Sequence, residues 1–183
     1  MNDSEDFGTW WNNEHNVTLP PKKNSNTNNE EEEMDADLLI ADACSTIVSY
    51  RNSYYDQLGD VYQSDYSKNF LLKNVLVMDA ASKALKGAQD NLKSLQRFHN
   101  DFRLRLSRAQ DDIVCMMKRW WQLFMQEIEQ NKLIASRHLA KHQTGAPYSW
   151  FSQYADQKHG QKLCKEENNL LKEIAVAIDK YIL

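Results

Sequence analysis

The stretch LLKNVLVMDAASKALKGAQDNLKSLQRFHNDFRLRLSRAQDDIVCMMKRWWQL, residues 71–123, decides the fold. Read in sevens, its first position holds Leu71, Met78, Leu85, Leu92, His99, Leu106, Ile113 and Trp120. Its fourth holds Asn74, Ala81, Ala88, Leu95, Phe102, Ala109, Met116 and Leu123. Only Asn74 and His99 in this set are polar. Apolar residues recurring at alternating three and four places form one continuous helical seam, which must be buried against other helices.

No proline lies between Pro21 and Pro147, so nothing in that interval forbids long helices. The seam helix is expected over about 68–144, ended by Gly145-Ala146-Pro147. Unbroken, it would be roughly 110 Å long. Asn100 and Asp101, following His99, are good capping residues and mark a candidate break. A first helix is expected over 36–63, with Gly59 as a point of fraying or kinking and Asp65 or Ser67 capping the next helix. A last helix is expected over 161–183, after a corner at His159-Gly160. The expected fold class is all-α. It is an elongated antiparallel helical hairpin or coiled coil around one long central helix, with a compact four-helix bundle broken near residue 100 as the alternative. Past Ile113 the apolar surface widens through Val114, Met117, Trp121, Phe124 and Ile128, so the half up to Ile134 should be covered by several neighbours.

Residues 1–33 are Asn- and Glu-rich and nearly free of aliphatic side chains, so this tail is expected to be disordered, with the helical body over 34–183. Residues 1–37 carry a net charge of −8 against −4 for the whole chain. Within the tail, Phe7, Trp10 and Trp11 beside Glu5 and Asp6 have the form of a short docking motif, with aromatics for a pocket and acids for a basic rim. The alternative is that the two tryptophans fold back onto a groove of the body itself.

Chemistry is harder to find. His138 and His142 share a helix face, but no Glu follows the first and no Cys pair has metal-ligand spacing. No nucleophile elbow, no glycine-rich phosphate loop and no Glu-x-x-His pair of a di-metal bundle occurs. Arg97, Arg103, Arg105, Arg108, Lys118 and Arg119 are interleaved with Asp101, Asp111 and Asp112, which suits a solvated flank better than a nucleic-acid surface. Cys44, Cys115 and Cys164 are odd in number and far apart, as reduced thiols are. There is neither a signal-peptide pattern nor an apolar run long enough to span a bilayer, which leads us to expect a reducing compartment, cytoplasm or nucleus.

The expected function is therefore that of a non-enzymatic helical subunit or scaffold of a multiprotein assembly, with no metal and no cofactor. Its seam (Leu71, Met78, Leu85, Leu92, Leu95, Phe102, Leu106, Ile113, Met116, Trp120, Leu123) would bind partner helices, in a hetero-oligomer rather than a homo-oligomer. The Phe7, Trp10 and Trp11 tail would dock a further protein. The alternative is a peripheral membrane or vesicle-trafficking adaptor whose rod-like hairpin presents Arg97 to Arg119 to anionic lipid.

Overall fold

The computed structural model describes residues 31–64 and 68–182. Among them lie four α-helices and no strand: α1 (Glu31–Gln63), α2 (Phe70–Phe102), α3 (Arg108–Thr144) and α4 (Trp150–Tyr181). Each is therefore about 50 Å long. The tail motif of Phe7, Trp10 and Trp11 lies outside the described residues, as do Asp65 and Ser67.

The helix expected over 68–144 is two helices. The break falls not at Asn100-Asp101 but at 103–107, where Ser107 begins α3 with a reciprocal capping box. Ser107 Oγ accepts from the Gln110 amide at 3.3 Å, and Gln110 Oε1 accepts from the Ser107 amide at 2.7 Å. Two amide donors at a helix start are satisfied at once, which makes Ser107 a better starting point than either earlier candidate. Asn69 caps α2, accepting from the Leu72 amide at 3.1 Å. Gly145 ends α3 in the left-handed region at φ 70°, its amide reaching the Lys141 carbonyl. The corner expected at His159-Gly160 is absent, because Ser149 already caps α4 through the Ser152 amide and the helix runs through both residues. Gly59 likewise lies within α1.

Neighbours in sequence pack antiparallel. The start of α2 meets the end of α3 through Phe70 and His142, whose rings stack 5.9 Å apart. The end of α2 meets the start of α3 through His99 and Asp111. Tyr50 on α1 donates to the Ala84 carbonyl on α2, and Arg137 on α3 pairs with Asp156 on α4. α4 closes back on α1 through Arg51 and Glu167. α1 and α3 touch across the middle, where Phe124 meets the Tyr54 and Tyr55 rings edge-on. Among the described residues α2 and α4 do not pack together. Val114, Met117, Trp120, Phe124 and Ile128 of α3 are fully buried, which makes α3 the core of the molecule. α2 faces it with Ala80, Ala81, Ala84 and Ala88, small enough to let the backbones come close.

α2 packs tightly against α1 as well. A Cβ on Gly87 would sit 2.1 Å from the Tyr50 hydroxyl oxygen, and the Tyr50 ring is wedged against Trp121 at 5.4 Å. Gly87→Ala gains helix propensity of about 1 kcal/mol, but the overpacked side chain is expected to cost about 1–3 kcal/mol. We expect a net loss, read as a lower midpoint in urea, partly recovered by adding Tyr50→Phe. A midpoint at or above wild type would contradict this packing.

A buried charge cluster as the candidate functional site

The interior holds charges where the helical spacing calls for apolar residues. On α1, Arg51 follows Ile47 by four places and precedes Tyr54 and Tyr55 on the same face. On α3, Glu127 sits between Phe124 and Ile128; on α4, Glu167 sits between Leu163 and Leu171. All three are buried, with Arg51 and Glu167 at 0% exposure. Arg51 Nε donates to both Glu167 oxygens, at 2.9 and 3.1 Å. Its Nη2 donates to Asn168 Oδ1 at 2.6 Å, and the guanidinium lies 4.8 Å over the Tyr55 ring. The Tyr55 hydroxyl donates to Glu127 Oε1 and lies 3.8 Å from Cys164 Sγ. Arg51 Nη1, Glu127 Oε2 and Trp120 Nε1 are buried with no hydrogen-bond partner among the described residues. The Trp120 indole is near enough to favour ionised Glu167, though not in hydrogen-bonding geometry.

One cation cannot neutralise two carboxylates, and an uncompensated buried charge is strongly destabilising. Burial pushes both acids up, and Arg51 pulls Glu167 back through the Nε contact. We assign the ionised carboxylate to Glu167, which holds the guanidinium directly. Glu127 faces a phenol instead. Burial, with Glu167 adding repulsion, carries it up to about 8 against the Tyr55 hydrogen bond and the more distant Arg51. Glu127 is then the neutral acid, and the cluster carries no net charge. The Cys164 thiol beside it is pushed up to about 12 by burial and by Glu127, and burial alone lifts Cys44 to about 11. A nucleophilic cysteine needs the opposite shift. The chemistry this arrangement performs is to hold one proton inside the fold.

A second polar group closes the α2–α3 end. His99 Nε2 is 2.5 Å from Asp111 Oδ1, and Lys118 Nζ is 2.6 Å from His99 Nδ1. With Cys115, His99 and Asp111 form a trio of potential metal-ligand atoms within 4.8 Å of one another. The ammonium donates to Nδ1, which places the ring hydrogen on Nε2, directed at Asp111. That nitrogen then has no lone pair for a metal, and the trio reads as a clasp across the turn. His138 and His142 pack on the Phe70 ring, and His138 also meets Tyr148 edge-on.

The seam residues face the chain's own helices. Ile113 and Trp120 are fully buried, and Leu92 and Leu95 are buried. Met78, Leu85, Leu106, Met116 and Leu123 are partly buried against the core, while Leu71 and Phe102 are half-buried nearer the helix ends. Bare apolar side chains include Trp150, Phe151 and Tyr154 on the first turns of α4, Leu104 in the α2–α3 turn, and Val75, Val176 and Tyr181 elsewhere. Among the described residues no helix is long and apolar enough to cross a membrane.

The proton on Glu127 gives stability a pH dependence. An acid whose folded value lies above its unfolded one keeps its proton in the fold and sheds it on unfolding. Stability therefore falls as pH rises from about 4.5 to about 8 and levels off above. Glu127→Gln, which carries no charge at any pH, is expected to flatten that slope and to exceed wild type at pH 8.5 by on the order of 2 kcal/mol. Urea unfolding at several pH values measures it; parallel curves for the two proteins would contradict the assignment. No protein-family model, curated protein or solved structure matches the chain.

Proposed function

We propose that this protein is a non-enzymatic helical subunit of a multiprotein assembly, built as a closed four-helix bundle rather than an elongated rod. The antiparallel contacts between successive helices, and the closure of α4 on α1, support the closed arrangement. Because the seam is covered from within, the partner surface is the outside of the bundle. The observation that carries this reading is the aromatic cluster at the start of α4. Trp150, Phe151 and Tyr154 are 66, 77 and 49% exposed, and the Trp150 and Tyr154 rings stack 5.5 Å apart. Neighbouring bare aromatics are the usual centre of a protein interface. Phe7, Trp10 and Trp11 of the tail supply a second set of anchors, and the setting is the cytoplasm or nucleus.

Tagged protein purified from its own cells at high salt, which strips surface-charge contacts but spares apolar ones, tests this. Helical partners are expected in equal amounts with wild type and to be lost when Trp150, Phe151 and Tyr154 are all changed to Ser. Recovery of the chain alone as a monomer would overturn the subunit reading.

One observation favours a second reading, a peripheral membrane adaptor. Leu104 is completely exposed at the apex of the α2–α3 turn, between Arg103 and Arg105 and close to Arg108, all exposed. A bare aliphatic side chain among arginines fits an anionic bilayer surface. On this reading the protein floats with acidic liposomes at moderate salt, and Leu104→Glu abolishes flotation. No flotation of wild type counts against it.

A further inference from the structure

Between α1 and α2 runs an apolar groove of about 240 Å³. Its walls include Leu39 and Ala43 of α1, Leu95 and Phe98 of α2, and the Trp121 ring of α3. Leu39 is 43% exposed, so the groove opens to solvent. A drug-sized ligand takes roughly 300–1,000 Å³, and this groove is too small for one. It suits one or two large side chains. Asp42, Thr46, Asn91 and Ser94 supply its polar rim, with Asp42 the one charged group in it.

The groove lies at the end of the molecule from which residues 1–30 depart. Leu39 is eight residues, about 12 Å, into α1 from Glu31. Trp11 precedes Glu31 by twenty residues. A flexible segment of that length has a root-mean-square span of about 25 Å, so the aromatic motif reaches back to the groove without being stretched. The exposed aromatics of α4 lie at the far end of α1, about 50 Å from Glu31 along the helix. They are out of easy reach for the same segment. The charges at the near end also match. Asp3, Glu5, Asp6 and Glu14 flank the motif, and no cation occurs before Lys22. The α2–α3 turn at that end presents Arg103, Arg105 and Arg108, all exposed.

We infer that this groove is the receptor for the chain's own Phe7–Trp11 segment, with a tryptophan between Leu39 and Phe98 and the flanking acids over the arginines of the turn. A tethered motif acts at millimolar effective concentration, so even modest intrinsic affinity keeps the groove filled. The tail is then unavailable to a partner until something competes for it. This inference shares with the proposed function only the idea that Phe7, Trp10 and Trp11 are anchors. It does not depend on any partner being found.

The test uses the full-length chain and a fluorescent peptide of residues 1–20, read by anisotropy. The peptide is expected to bind the Trp10→Ala/Trp11→Ala chain, whose groove is no longer filled from within. Binding to the wild-type chain should be at least about tenfold weaker, because the tethered copy competes. Leu39→Glu, added to the tail variant, should abolish binding while the helical content stays intact. Should that variant unfold, Thr46→Trp, which fills the groove from its rim, serves instead.

No binding to the tail variant, or equal binding to both chains, overturns the inference. So does a wild-type dimer in sedimentation that the tail variant converts to monomer, since the occupant would then be the tail of a second copy. Failure to recover partners from cells overturns only the subunit reading, so the two failures are distinguishable.

Discussion

The structure depends on where a single buried guanidinium finds its countercharge. Arg51 ties α1 to α4 through Glu167 and Asn168, and Tyr55, one turn on, ties α1 to α3 through Glu127. Buried ion pairs add little net stability compared with apolar residues of the same shape, because both partners must be stripped of water. What they do is penalise every misalignment. Sliding α4 along α1 would leave the Arg51 guanidinium and the Glu167 carboxylate without partners in a dry interior. The apolar layers around them, with their interchangeable Leu, Ile and Ala contacts, are more forgiving. The polar cluster thus sets the register that the apolar core then fills.

The two ends of the molecule are built differently. At the α2–α3 turn a capping box, the His99 clasp and three arginines crowd together, close to where α1 begins; Asp37 there accepts from Gln110 at 2.6 Å. At the α3–α4 turn, Lys141 and Gln153 both hold the Tyr148 carbonyl, and the first turns of α4 leave their aromatics bare. One end is charged and locally tied; the other is aromatic and open.

Much of this was legible in the residues, and the parts that were not have specific causes. The all-helical content followed from the apolar spacing and from the absence of proline between Pro21 and Pro147. The break at 103–107 did not, because a helix folded back on itself keeps both halves facing the same core. Phe102 and Ala109 stay seven apart on either side of it, and periodicity alone cannot tell a straight rod from a hairpin. The local signal was Ser107 with Gln110, outweighed by the neighbouring Asn100 and Asp101. The start of α4 was obscured in the same way, by reading His159-Gly160 as a corner when Ser149 already capped the helix. The charge cluster was legible in principle. Arg51, Glu127 and Glu167 interrupt apolar stripes at positions where a solvated charge has no place. That they meet one another is a tertiary fact no spacing discloses.

The pairing of Arg51 with Glu167 spans 116 residues of chain. Local turns bring α2 onto α3 and α3 onto α4 cheaply, but this contact and its neighbour Arg51–Asn168 close the longest loops of any side-chain hydrogen bond among the described residues. Its members gain nothing from leaving water until the surrounding helices are in place. On the ribosome α1 emerges first and α4 last of the four. The carboxylate that pairs with Arg51 therefore lies on the last of the four helices to be made, and a chain that ends before α4 has no partner for that guanidinium.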